Sequence, residues 1–394
     1  MLLTKTIGFK EIKLVKFMKK FKIILLYFLL LLISNKIHAQ SGKIVIPETT
    51  NKNIDVSLKN EIDHSIKSGL KWLYKQQEKN GSWQNDPAIT SLALSSFLRY
   101  GSNFSCKDSF ITAGFNFLKK CIKSDGGIYL QDVPNYTTSI CLMAFKDAAD
   151  NLEFHGIIDN AEKFLIGLQY NENNGYTKDS IDYGGVDYGY SKSPDVSNLQ
   201  WAIEALQYKE TNNIEKQADE KSKEKGLYYG KALNFLSKCQ NLKSVNNESY
   251  SGDDGGFMYS PGKSKAGGNT SYGSMTYAGL KSMIYLKVDK NDNRVIAAYN
   301  WIKNNYSVDV NPNLGDQGIF YYYHTFSTAL SAYGEDNLID NNGIKHNWRT
   351  ELADHIIKIQ NEEGWWQNQN ARFWENNKVL VTTYCILSME ELLK

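Results

Sequence analysis

Along the chain, apolar positions gather into two alternating kinds of segment. In the first, apolar residues recur at three- and four-residue steps, as in Ile62, Ile66, Leu70 and Leu73, with Lys and Glu between them. That spacing predicts a helix with one wet face. In the second the run is apolar nearly all round and carries small and hydroxyl residues, as in Ser139-Ile140-Cys141-Leu142-Met143-Ala144, which predicts a helix buried on every side. A polar or Gln turn followed by a Gly-aromatic unit separates the two kinds, and the whole order repeats six times.

The first copy holds Gly69-Leu70-Lys71-Trp72-Leu73, Gln76 and Gln77, Gly81-Ser82-Trp83 and a helix over Ile89 to Leu98. The second runs from Phe115 to Leu118 through Gly126-Gly127-Ile128-Tyr129 to Thr138 to Phe145. The third has Phe164-Leu165, Gln169, Gly175-Tyr176 and Leu199 to Leu206. The fourth has Phe235-Leu236, Gln240, Gly255-Gly256-Phe257 and Met275 to Leu286. The fifth has Trp301-Ile302, Gly318-Ile319-Phe320 and Phe326 to Tyr333, and the sixth Ile356-Ile357, Gln360, Gly364-Trp365-Trp366 and Val381 to Leu392. Six wet helices around six dry ones predict an all-α fold, an α/α toroid, whose closure removes the exposed ends of an open solenoid. The step from Leu73 to Leu118 is 45 residues, but that from Leu165 to Leu236 is 71, so long insertions fall in copies three to five. Loops of that length in a compact domain tend to be functional.

The first 40 residues differ in kind. Lys19, Lys20 and Lys22 precede an apolar run from Ile23 to Ile33, and Ala39 offers a small residue for cleavage. The run falls short of the roughly 20 residues a membrane span needs. Residues 1–39 therefore read as a signal peptide with an over-extended start before Met18, 40–56 as a short linker, and 57–394 as a single toroid domain, exported to the periplasm or beyond. A balance of 45 Lys+Arg against 43 Asp+Glu excludes nucleic-acid binding by bulk charge. Export permits disulfides, but Cys106, Cys121, Cys141, Cys239 and Cys385 are odd in number and lack a CxxC pair. Most read as buried apolar residues, with one bridge within the first three left open.

The Gln77…Gly81-Ser82-Trp83 turn resembles the repeat of squalene-hopene cyclases and protein prenyltransferase β subunits, and the likeness runs through nearly the whole chain beyond the signal peptide. The blocks Asp195 to Gln200, Gly273 to Thr276 and Tyr321-Tyr322-Tyr323-His324 look like exported bacterial proteins named for prenyltransferase and squalene-oxidase repeats. The resemblance implies a terpenoid-cyclase-like ring around an apolar cavity, a hydrophobic or isoprenoid ligand and, where catalytic, cyclase- or mutase-like chemistry. Two chemical signatures are altered. Pro194-Asp195-Val196-Ser197-Asn198 occupies the place of the cyclase DxDD acid, and a serine hydroxyl cannot protonate an alkene at neutral pH. Asn269-Thr270-Ser271-Tyr272 occupies the place of the zinc-binding D-x-C segment, and neither Asn nor Ser is a zinc ligand, so no metal and no cofactor is expected.

Asp195 and His324 remain as proton-transfer candidates, with Tyr136, Asn198, Gln200, Tyr272, Tyr323 and Trp374 as ligand-cavity residues. Each has a plainer role: Asp195 as a helix cap, His324 as a wall residue. Asp253-Asp254 reads as part of a Gly turn rather than a metal pair. Three functions compete. A deep dry cavity favours a hydrophobic-ligand binder, a long wet groove a carbohydrate-active enzyme of the polysaccharide-lyase kind, and a filled centre a non-catalytic interaction scaffold. An apolar channel mouth would also allow contact with a membrane surface, although no basic amphipathic helix demands it.

Overall fold

The computed structural model describes residues 54–130, 133–189, 193–208 and 229–394. The signal peptide and most of the linker expected at the N-terminus lie outside these residues. Among the described residues are twelve α-helices and one two-stranded hairpin. Six are outer helices: α1 (Val56–Tyr74), α3 (Ser109–Lys120), α5 (His155–Gly167), α7 (Tyr229–Cys239), α9 (Asn293–Asn304) and α11 (Trp348–Lys358). Six are inner: α2 (Pro87–Arg99), α4 (Pro134–Asp147), α6 (Val196–Gln207), α8 (Gly273–Tyr285), α10 (Ile319–Tyr333) and α12 (Lys378–Leu392). Each inner helix packs on the next, and α12 packs back on α2, so the ring closes as an α/α toroid. A short hairpin of β1 (Leu338–Ile339) and β2 (Lys345–His346) links α10 to α11.

Burial separates the two sets as the polarity pattern predicts. Every residue of α8 from Gly273 to Met283 is buried, whereas α5 buries only Ala161 and Leu165. Each buried Leu, Ile or Phe in the inner set contributes roughly 1.5–3 kcal/mol relative to exposure.

The repeat turns are the mortar between outer helices. Gln77 donates both to Gly81 O at 2.8 Å and to Phe110 O of α3 at 2.8 Å. Gln240 bonds Gly255 O and Arg294 O of α9 in the same way, and Gln360 bonds Gly364 O and Ser65 O of α1, which closes the circle. The residue after the turn is held from within: the backbone N–H of Trp83, Ile128, Phe257 and Trp366 each donates to a Thr hydroxyl on the following inner helix. Gly255 has φ +85, and a Cβ there would lie 2.6 Å from Ala297 O of α9, so only glycine admits this approach.

Two repeat boundaries differ from expectation. In the third copy the turn is Gly184-Gly185, not Gly175-Tyr176: Gln169 donates to Gly184 O at 3.2 Å, and the intervening residues form a separate loop. In the fifth copy Gly318-Ile319-Phe320 is not a turn of this kind. Gly318, at φ +65, precedes α10, which begins seven residues before the expected Phe326. The five cysteines are free thiols; four are buried and Cys106 is half-buried. Among the described residues no helix is long and apolar enough to cross a membrane.

Candidate functional site

The N-terminal ends of the inner helices form one mouth of the ring, and the insertions of copies three and four reach over it. Pro194-Asp195 halts the preceding loop and starts α6, with Asp195 extended at φ −147 as its cap. The Asp195 carboxylate accepts from the backbone N–H of Asn198 at 2.8 Å and from its side-chain amide at 2.8 Å. Asn198 in turn accepts from Asn135 of α4 at 3.1 Å, which ties two inner helices together. Burial pushes Asp195 up to about 6, opposed by the bonds from Asn198 and from the Tyr259 hydroxyl. Above it, the hydroxyls of Tyr188 and Tyr259 meet at 3.2 Å, and Lys265 Nζ lies 4.1 Å over the Tyr259 ring. Asp195 is thus a helix cap with its lone pairs taken, whatever else it does.

Behind the mouth, aromatic rings meet across the ring axis. Trp201 of α6 touches Tyr136 of α4 edge-on and stacks on His324 of α10 at 5.6 Å, and His324 stacks on Tyr384 of α12 at 5.6 Å. The hydroxyls of Tyr136 and Tyr384 lie 3.0 Å apart. Burial, helped by Lys281 and Arg99, holds His324 well below the usual imidazole range, so the ring is neutral at pH 7. Its Nδ1 and the neighbouring Trp201 Nε1 are buried without a hydrogen-bond partner among the described residues.

A polar chain runs down the inside of the same wall. Lys281 of α8, fully buried, pairs with Glu204 of α6 at 2.7 Å and donates to Thr328 of α10 at 3.2 Å. Glu204 also accepts from the Gln200 amide at 2.6 Å. Gln200 Oε1 accepts from the Tyr321 hydroxyl at 3.1 Å, and that hydroxyl lies 3.2 Å from Ser197 Oγ. Tyr321 and Ser197 are half-buried and face the mouth.

The structure therefore gathers Tyr136, Asp195, Asn198, Gln200 and His324 at the mouth or directly behind it. Tyr272 is buried at the start of α8, close enough to Asp195, Tyr188 and Tyr321 to feel their charge. Trp374 stands 69% exposed in the loop before α12. Tyr323 is a correction: its hydroxyl donates to Val308 O at 2.9 Å and meets His355 of α11 at 2.9 Å, so it faces the outer layer. At about 100° per residue, Tyr321 and His324 share the inward face and Tyr323 cannot. Asn269 and Ser271, in the place of the metal ligands, spend their side chains on Tyr250 O and Asp254. Asp254 also accepts from Gly256 N at 2.9 Å, as a turn carboxylate does.

Three residues were not foreseen. Tyr321 and Ser197 were legible in part, from helical phase and from the altered acid motif. Glu375 was not, because it acts from the far loop. Fully buried, it accepts from the backbone N–H groups of Phe320 and Tyr321 at 2.9 and 2.8 Å and so caps α10, while burial pushes it up to about 7.

No family model matches this sequence, nor does any curated protein. Among solved structures, the chain is similar to a type II terpene cyclase from Scytonema in complex with merosterolic acid A, at 11% identity over 86% of this chain and 99% of that one, with a TM-score of 0.50. The same cyclase with geranylgeranyl dihydroxybenzoate matches at 11% identity over the same shares, again with TM-score 0.50. An α-amylase from Clostridium perfringens matches at 11% identity over 83% and 97%, with TM-score 0.49. The helix order and the likeness to the terpene cyclase agree on the fold: the chain is an α/α toroid of the kind found in that cyclase.

Proposed function

We propose that this chain is an exported toroid of the prenyltransferase and squalene-oxidase repeat kind, which holds a hydrophobic, isoprenoid-type molecule at its mouth without cyclase or transferase chemistry. The observation that carries the reading is the pair of stacked, buried heteroatoms behind the mouth, Trp201 Nε1 and His324 Nδ1. Buried polar atoms without partners are rare in folded proteins and call for a ligand or a water. They sit in an aromatic wall of Tyr136, Tyr321 and Tyr384, which suits an apolar chain with a polar end. Against protonation of an alkene stand Asp195, engaged as a helix cap, and His324, which carries no acidic proton as a neutral ring. The cyclase of like fold has been solved with a geranylgeranyl-bearing substrate, which names a first probe class.

The experiment is a titration of purified protein with geranylgeraniol, followed by Trp fluorescence, with product analysis after long incubation. Saturable quenching with unchanged probe is expected; no quenching, or conversion of the probe, contradicts the reading. A second reading, a glycan laid against the rim, draws on the exposed Trp374 and the half-exposed amides of the same loop, Gln367 and Asn370. Quenching by soluble oligosaccharides in place of the alcohol selects it.

A further inference from the structure

The polar chain from Lys281 to Ser197 has a direction, and that direction fixes what the mouth presents. Lys281 Nζ can only donate and its ion-paired partner Glu204 can only accept. The Gln200 amide bound to Glu204 Oε2 must therefore turn its Nε2 inward, which leaves Oε1 facing the mouth. The Tyr321 hydroxyl has one proton and gives it to that oxygen. The contact between Ser197 and Tyr321 is then a hydrogen bond only when Ser197 donates. Each link is forced by the one below, and the source is a buried ammonium that cannot reverse its polarity.

At this corner both hydroxyl protons are spent inward. Only lone pairs of Tyr321 and Ser197 remain for an incoming molecule. We infer that the Tyr321–Ser197 corner is a hydrogen-bond-accepting subsite, so that the mouth selects a ligand carrying a hydroxyl or N–H donor over the same molecule ending in an ether, ester or fully ionised phosphate. This rests on the ligand-binding reading above and deepens it by naming the ligand's polar end. It also gives a use to Ser197, the residue standing where the cyclase motif has its acid. A serine there is a poor acid but a good acceptor once its proton is held by Tyr321. An acceptor-ended ligand must turn the Ser197 hydroxyl outward and break its bond to Tyr321, an exchange that costs about one hydrogen bond, or roughly tenfold in affinity.

The test compares geranylgeraniol with its methyl ether on wild-type protein, Ser197→Ala and Tyr321→Phe, by Trp fluorescence titration. Wild type is expected to bind the alcohol about tenfold more tightly, and the difference is expected to shrink to about twofold in Ser197→Ala and in Tyr321→Phe. Ether and alcohol binding equally to wild type overturns the subsite while leaving the ligand-binding reading intact. A tenfold preference that both variants retain also overturns it, because the donor is then read elsewhere. Failure of wild type to bind either probe overturns the reading and the subsite together. Far-UV circular dichroism on each variant keeps a folding defect from passing as a loss of selectivity.

Discussion

The two ends of the ring handle buried charge in opposite ways. At the mouth, Asp195 and Glu375 are both buried, and both are saturated by amide donors at the start of an inner helix. At the other end, where the inner helices finish, Glu390 of α12 is buried with neither oxygen hydrogen-bonded among the described residues, and its ionisation is pushed well above the usual carboxylate range by burial. Arg99 stands near enough to oppose that shift, yet its own side chain is committed to Asp147 at 2.8 Å. A carboxyl fixed by amide donors is architecture: it orients helices, and most of its acceptor capacity is committed. An unsatisfied one is a stability liability. The mouth therefore has its carboxylates bonded into helix starts and the Tyr321 and Ser197 hydroxyls half-exposed, the arrangement on which the proposed binding role rests.

The sharpest way to break this contrast is to cut the buried pair that lies between the two ends. Lys281→Met leaves Glu204 without its cation and is expected to cost about 3–5 kcal/mol in urea unfolding, with Lys281→Met/Glu204→Leu recovering most of the loss. Next comes Gly364→Ala at the ring-closing turn. Its φ of +101 and the close backbone of Ser68 leave no room for a methyl group, and a loss of about 2–4 kcal/mol is expected.

A pH titration of stability reads both ends at once, because Glu390 is shifted upward like Asp195 and Glu375, and variants tell them apart. Asp195 and Glu375 have folded values of about 6 and about 7, above their ordinary ones, so their contribution is present at low pH and lost as pH rises through those values. The unfolding midpoint is expected to fall between about pH 4 and pH 7, and Glu375→Gln to flatten that fall. The smallest effect belongs to the far end. Glu390→Gln removes the cost of holding this buried carboxyl protonated at neutral pH and is expected to gain about 1–2 kcal/mol there, with no change in ligand binding.

The toroid was legible because its mortar is local. Gln77, Gln240 and Gln360 each bond a glycine carbonyl four or fifteen residues on, so the same few residue types recur wherever two outer helices are joined. Legibility failed where a nearer Gly-aromatic pair, Gly175-Tyr176, imitated the turn that Gln169 makes with Gly184, and where a long-range group did the work of a local one. Glu375 caps α10 from 54 residues away, and no pattern around Gly318 announces it. Within the site, Tyr321 and Tyr323 are the same residue type two positions apart, and only helical phase tells which one faces inward. The sequence motif drew attention to the Asp195 segment, but the bonds around it, from Lys281 through Gln200 to Ser197, join three helices far apart in the chain.

The most direct measurement is native mass spectrometry of the purified protein, followed by solvent extraction of whatever it retains. The account predicts a non-covalent adduct of one apolar molecule ending in a hydroxyl or N–H group, released unchanged. An empty protein under gentle conditions, or a probe recovered as a cyclised or transferred product, would contradict it.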